Sequence, residues 1–273
     1  MSFQSSPTWS ARKLGLLFAM ALLLFMFIRW DSSVWLQQRL NQIIAEQQLN
    51  ISYGSAHLQG FTLHIDEVRI TTPQHPQPFP LQSLTLNLNW MSLLQGELSL
   101  HAHASNAFMD LNADVTQHDT LLQLRAIEGF ADVALAQTWL ALPSPVKMQG
   151  QLQLQGSAAL MLHNGFPTQA DLTAHWLKGA ANMMMLHYPL GEYALHATLQ
   201  ENLAQWTLSG GEQLTLNGQG ELHLQPTMPA QQWAISGSIR MQAAEGSPLA
   251  SFLTSQEKLA QISGTIGLPL WQM

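Results

Sequence analysis

Leu84-Thr85-Leu86-Asn87-Leu88-Asn89-Trp90 alternates apolar and polar residues at every step. Successive side chains of a strand point to opposite faces of a sheet. The heptapeptide therefore reads as a half-buried β-strand, with Leu84, Leu86, Leu88 and Trp90 on one face. The same period of two recurs on both sides of it. Upstream, Leu63 and Ile65 alternate with His64, and the doublet Asp66-Glu67 shifts the phase before Val68 and Ile70, as a bulge would. Pro73, Pro76, Pro78 and Pro80 predict a stiff loop. Downstream, Leu98, Leu100, Ala102 and Ala104 stand opposite Ser99, His101 and His103. Leu111-Ala113-Val115 and Leu122-Leu124-Ala126 follow.

A helix is expected over Phe130–Leu142, stopped by Pro143-Ser144-Pro145, which is the best internal boundary. Beyond it, Val146, Met148, Gly150, Leu152, Leu154, Gly156, Ala158, Leu160 and Leu162 keep one phase opposite Gln149, Gln151, Gln153 and Gln155. That run is long for a strand and is expected to bend or break at Gly150 or Gly156. Further strands are read at Ala170–Trp176, Tyr193–Leu199, Trp206–Leu208, Leu214–Leu216, Leu222–Leu224 and Trp233–Met241. A short helix over Pro248–Leu259 and a last strand over Ile262–Leu268 complete the chain. Strands at this spacing indicate an elongated antiparallel meander with one apolar face. That face must be covered by a second layer, by curling into a trough, or by something apolar such as lipid, and the pattern leaves these three open.

Composition narrows the function. Only 10% of residues are charged, against roughly 25% in ordinary soluble domains, so the polar face is built from Gln, Asn, Ser, Thr and His. A net charge of -7 offers no basic footprint for nucleic acid. Cysteine is absent, which removes disulfides, thiolate chemistry and cysteine-based metal sites.

Residues 14–30 read Leu-Gly-Leu-Leu-Phe-Ala-Met-Ala-Leu-Leu-Leu-Phe-Met-Phe-Ile-Arg-Trp, apolar up to Arg29. A core helix fits poorly at this N-terminal position after Arg12-Lys13. A cleaved signal needs small residues just after the run, where Phe27-Ile28-Arg29-Trp30-Asp31 stands instead. The run is therefore expected to be an uncleaved transmembrane anchor, with a cytoplasmic tail at 1–13 and the bulk of the chain across the membrane. Leu36, Leu40, Ile43 and Ile44 place an amphipathic juxtamembrane helix over 31–49. A β-rich domain spans 50–273, with candidate halves 50–142 and 146–273.

Catalytic signatures were sought and are weak. His101 and His103 have a metal-ligand spacing but read better as solvated strand histidines. Met183-Met184-Met185 reads as packing rather than copper ligation. Ser255-Gln256-Glu257-Lys258 matches the S-x-x-K nucleophile motif, but the accompanying K-T-G is missing. No catalytic, cofactor-binding or metal residue is assigned, and no enzyme activity is expected.

Several segments together resemble type II secretion system protein N (general secretion pathway protein N). They are Leu84–Leu100 with its Trp90 and Leu93-Leu94-Gln95-Gly96 turn, Gly150–Leu154, Leu190-Gly191-Glu192-Tyr193, Trp206–Gly210, Leu214–Gly218 and Ile262–Pro269. The resemblance implies a bitopic inner-membrane component with a periplasmic β-rich domain that works through other inner-membrane secretion components. The opening Tyr53–His64 departs from that family's first turn. With the juxtamembrane helix, it is similar to AsmA-type envelope proteins, whose curved β-trough is linked to lipid movement. On that alternative the groove would be lined by Leu84, Leu86, Leu88, Leu152, Leu154, Leu160 and Leu162.

Overall fold

A computed structural model describes residues 33–46, 51–72, 75–94, 97–139, 147–162, 166–183, 186–228, 232–252 and 257–272. All fifteen strands belong to one sheet. β1 (Ile51–Ser52) and β2 (Ser55–Gln59) both pair with β3 (Thr62–Thr72). The rest follow in chain order: β4 (His75–Leu88), β5 (Leu98–Ser105), β6 (Met109–His118), β7 (Leu121–Asp132), β8 (Lys147–Met161), β9 (Pro167–Met183) and β10 (Leu186–Gln200). After these come β11 (Leu203–Gly210), β12 (Leu214–His223), β13 (Ala234–Ala243), β14 (Glu257–Thr265) and β15 (Leu268–Gln272). The expected meander is present and stays open, because β15 pairs only with β14. The β7–β8 ladder runs on either side of the Pro143-Ser144-Pro145 segment, which lies outside the described residues.

Register keeps the two faces distinct. Leu84 stands opposite Ala104, and the row continues through Leu111, Gly129, Leu154, Ala174, Leu195, Leu208, Gly218 and Ile239 to Ala260. One residue along, Thr85 starts a row through His103, Asn112, Glu128, Gln155, Thr173, His196, Thr207, Gln219 and Ser238 to Gln261. Each row crosses from β4 to β14, about 50 Å at the usual strand spacing.

The sheet has few partners. Helix α1 (Ser33–Glu46) packs Leu36 and Leu40 against buried Ala56, Ile65, Val68 and Leu81. Tyr53 ties it down, its hydroxyl donating to the Gln37 carbonyl at 3.1 Å and meeting Asn41 Oδ1 at 2.9 Å. A second cluster gathers Ala181, Tyr188, Leu190 and Tyr193 under Leu249 of the 3-10 turn Pro248–Phe252. A third joins Phe166, Leu199 and Leu224. The described residues contain no second sheet.

Several expectations are corrected. Pro76, Pro78 and Pro80 continue β4 instead of forming a loop. Their stretch of β4 pairs with β3 alone and precedes Ser83, the first residue of β4 to pair with β5, so one flank of the strand is a free edge there, where proline is tolerated. β7 runs through Phe130 to Asp132, and helix α3 (Val133–Trp139) starts only there. Asp132 caps it, Oδ1 accepting the Leu135 N–H at 2.9 Å. Ala126 leaves the apolar phase at a left-handed bulge (φ 47), and Ile127 is buried in its stead. Glu257–Leu259 are strand, not helix, because they pair with β13. The expected last strand Ile262–Leu268 is a hairpin, turning at Ile266-Gly267 between β14 and β15. Trp90 does not continue the apolar row of β4: it opens helix α2 (Trp90–Leu94) and lines a cavity with Asn87, His101 and Asp114 of the polar face.

Other readings hold. Glu67 is left-handed (φ 54), so Ile65 and Val68, three apart, are both buried. β8 bends without breaking, with Gly150 and Gly156 at φ 121 and 147. Among the described residues no helix is long and apolar enough to cross a membrane, and the expected span at 14–30 lies outside them.

Candidate interaction surface

Among the described residues no second layer covers the apolar face, which runs from β4 to β14. Of the residues expected to line a groove, Leu84, Leu86, Leu88, Leu152, Leu154 and Leu160 lie on this one face. Leu162 does not, because β8 ends at Met161 and Leu162 sits in the following turn. Coverage is uneven. Leu152 is 37% exposed and Leu195 40% exposed near the middle of the sheet, whereas Ala260 and Ile262 are buried at its far end.

Towards that far end the face is built around one large side chain. The Trp206 indole lies over Gly218, Gly220 and Gly237, where a Cβ would come within 3.2, 2.5 and 2.6 Å of its ring. Three absent side chains make a floor for one large one. Nearby, Tyr193 stacks on Trp176 with centroids 5.5 Å apart and donates its hydroxyl to the Leu214 carbonyl at 2.7 Å. Burial pushes the Tyr193 phenol up to about 12.

The two edges differ. α1 packs against β2, and Gln37 Nε2 donates to the Ala56 carbonyl at 3.4 Å. At the other end β15 is bare, with Leu268 78% and Leu270 62% exposed. Pro269, opposite Gly264, gives this outermost strand a residue with no N–H, a usual way of blunting an exposed edge.

The polar face holds the histidines. His101 Nδ1 lies 2.8 Å from Asp114 Oδ1, and His103 Nε2 lies 3.2 Å from Asp110. The sequence reading missed these carboxylates. The signal was the alternation Asp110, Asn112, Asp114 folding back across the Asn106-Ala107 turn onto His101 and His103. The two pairs stay separate, and among the described residues no three His, Cys, Asp or Glu side chains converge as a metal site. Lys258 is on β14 opposite Met241, while Ser255, Met184 and Met185 lie outside the described residues. Met183 ends β9.

What this arrangement offers is surface for contact: a broad apolar face, an exposed hairpin and a weakly charged polar face. A family model described as type II secretion system (T2SS), protein N, matches residues 55–256, from β2 to just before β14. The chain belongs to the type II secretion system protein N family. No curated protein and no solved structure matches it significantly. Membership as a protein N makes the chain a component of the secretion machinery, and the matched span includes almost all of the meander. The α1 helix and β1 precede the matched region, and β14 and β15 follow it.

Proposed function

We propose that this protein N is a non-catalytic, single-pass component of the bacterial inner membrane. Residues 1–13 are cytoplasmic, 14–30 span the membrane, and the sheet stands in the periplasm. It supports export of folded proteins by holding apolar sheet surface against other inner-membrane secretion components. One observation carries this reading: an apolar face that no second layer covers among the described residues, with Leu152 and Leu195 open at its centre. A face of that kind suits docking within an assembly.

A second reading is favoured by the continuity of the same face. The row from Leu84 to Ala260 contains no polar side chain. A sheet curled along it would offer acyl chains a trough, as in AsmA-type proteins.

Photocrosslinking in cells with probes at Leu154 and Leu195 separates the two. Adducts to another secretion component are expected. Phospholipid adducts would transfer the assignment to the trough. Crosslinks confined to this chain at both positions would make the face ordinary core and remove both readings. A reporter enzyme active only in the periplasm, fused after Met273, should be active; a silent fusion would reverse the topology.

A further inference from the structure

On the opposite, polar face three cavities of about 470, 340 and 500 Å³ are lined in turn by successive residues of β6. Asp110 lines the first two, Asn112 the second, and Asp114 and Thr116 the third. These are alternate residues of one strand, so they form a single polar floor. Six residue steps give it a length of about 20 Å. Aromatic side chains stand along it. Trp90, 51% exposed, flanks the third cavity, and Phe130, 49% exposed, is shared by the first two. The left-handed bulge at Ala126 sits in the neighbouring strand, where bulges commonly accompany binding sites.

The chemistry of the floor selects among ligands. Asp110 and Asp114 are already engaged by His103 and His101, and Arg125 is the cation of the third cavity, so local charge is mixed with an acidic bias. An anionic polymer would gain little there. An acyl chain would strip water from carboxylates and amides without replacing their hydrogen bonds. An extended peptide takes its affinity from main-chain bonds at a sheet edge, whereas β6 is paired on both sides. A neutral chain of sugar rings fits all of these features. Its hydroxyls both donate and accept against Asp, Asn and Thr, and its flat apolar ring faces lie on aromatic side chains.

We propose that the groove along β6 binds a neutral oligosaccharide of several rings, with Asp110, Asn112, Asp114 and Thr116 as the hydrogen-bonding floor and Trp90 and Phe130 as stacking platforms. This site is independent of the docking face, which lies on the other side of the sheet.

The test is calorimetric titration of the full chain in phospholipid nanodiscs, free of sugar-based detergent, with chitotetraose, cellotetraose and their disaccharides. At least one tetrasaccharide should bind, and more tightly than its disaccharide. Trp90→Ala and Phe130→Ala should each weaken binding roughly tenfold, about 1.4 kcal/mol. Both side chains are half exposed, so thermal unfolding should be unchanged, and Asn112→Ala provides a second route through the floor. No heat with any oligosaccharide would overturn the proposal. So would binding indifferent to all three substitutions, or equal affinity for an uncharged extended octapeptide.

Discussion

Trp206 and Gly220 face each other directly across the β11–β12 ladder, and the indole occupies the space that a side chain at position 220 would need. A Cβ there would meet Trp206 Cζ2 at 2.5 Å and the Ser236 carbonyl oxygen at 2.2 Å. Neither can yield cheaply, one being a packed ring and the other backbone.

Gly220→Ala should therefore lower stability by roughly 1–3 kcal/mol, the usual cost of overpacking. At about 2–4 °C per kcal/mol for a domain of this size, thermal unfolding followed by circular dichroism resolves the shift. Gly220 is not among the left-handed glycines, so the loss reports overpacking and not backbone strain.

Tyr193 supplies a pH signature. Its phenol is raised by burial to about 12 from an ordinary 10, so the folded state holds the proton more tightly than the unfolded chain. The stabilisation is complete below pH 10 and is lost as pH rises towards 12. Tyr193→Phe should remove that alkaline step from the unfolding midpoint. It should also cost about 1 kcal/mol at neutral pH through the lost bond to Leu214. An identical alkaline limb in the variant would assign the step to another group.

Pro269 is expected to keep β15 from recruiting another strand. Pro269→Ala restores an N–H to an edge strand that already exposes Leu268 and Leu270. Sedimentation velocity should show concentration-dependent association in the variant beyond that of the parent. Equal profiles would mean that the edge is protected in some other way.

The α1 helix packs Leu36 and Leu40 onto the sheet at the opposite end. Leu40→Asp puts a charge against Ile65 and Val68 and should release the helix. Limited proteolysis should then cut between residues 33 and 59 well before the rest of the sheet. Leu40→Met, which conserves volume, should keep the parent pattern.

Much of the fold was written in local pattern. Leu84–Leu88 alternates because one face is apolar and the other wet, and that requirement repeats at every strand. Even the shift at Asp66-Glu67 was visible, since Ile65 and Val68 need the same face. The misreadings share another cause. Glu257–Leu259 and Phe130–Asp132 carry no strong local preference, and a neighbouring strand decides their conformation. The prolines of β4 were read as loop because edge position, which makes them tolerable, is a property of the sheet. The polar groove was illegible for the same reason. Asp110, Asn112 and Asp114 look like any solvated strand face until register sets His101 and His103 beside them and Trp90 and Phe130 along them.

From β3 onward each strand pairs with the one just made and the one that comes next. A chain delivered N-terminus first can thus add hairpins in order of arrival, with no strand waiting for a distant partner. Ordering entropy is lost in small instalments, and contacts stay close in sequence, a condition for rapid folding of β proteins. Only the first rung needs a template, and the α1 helix with β1 to β3 provides it. Growth in this manner has no built-in last strand: every strand added presents the same kind of edge as the one before it.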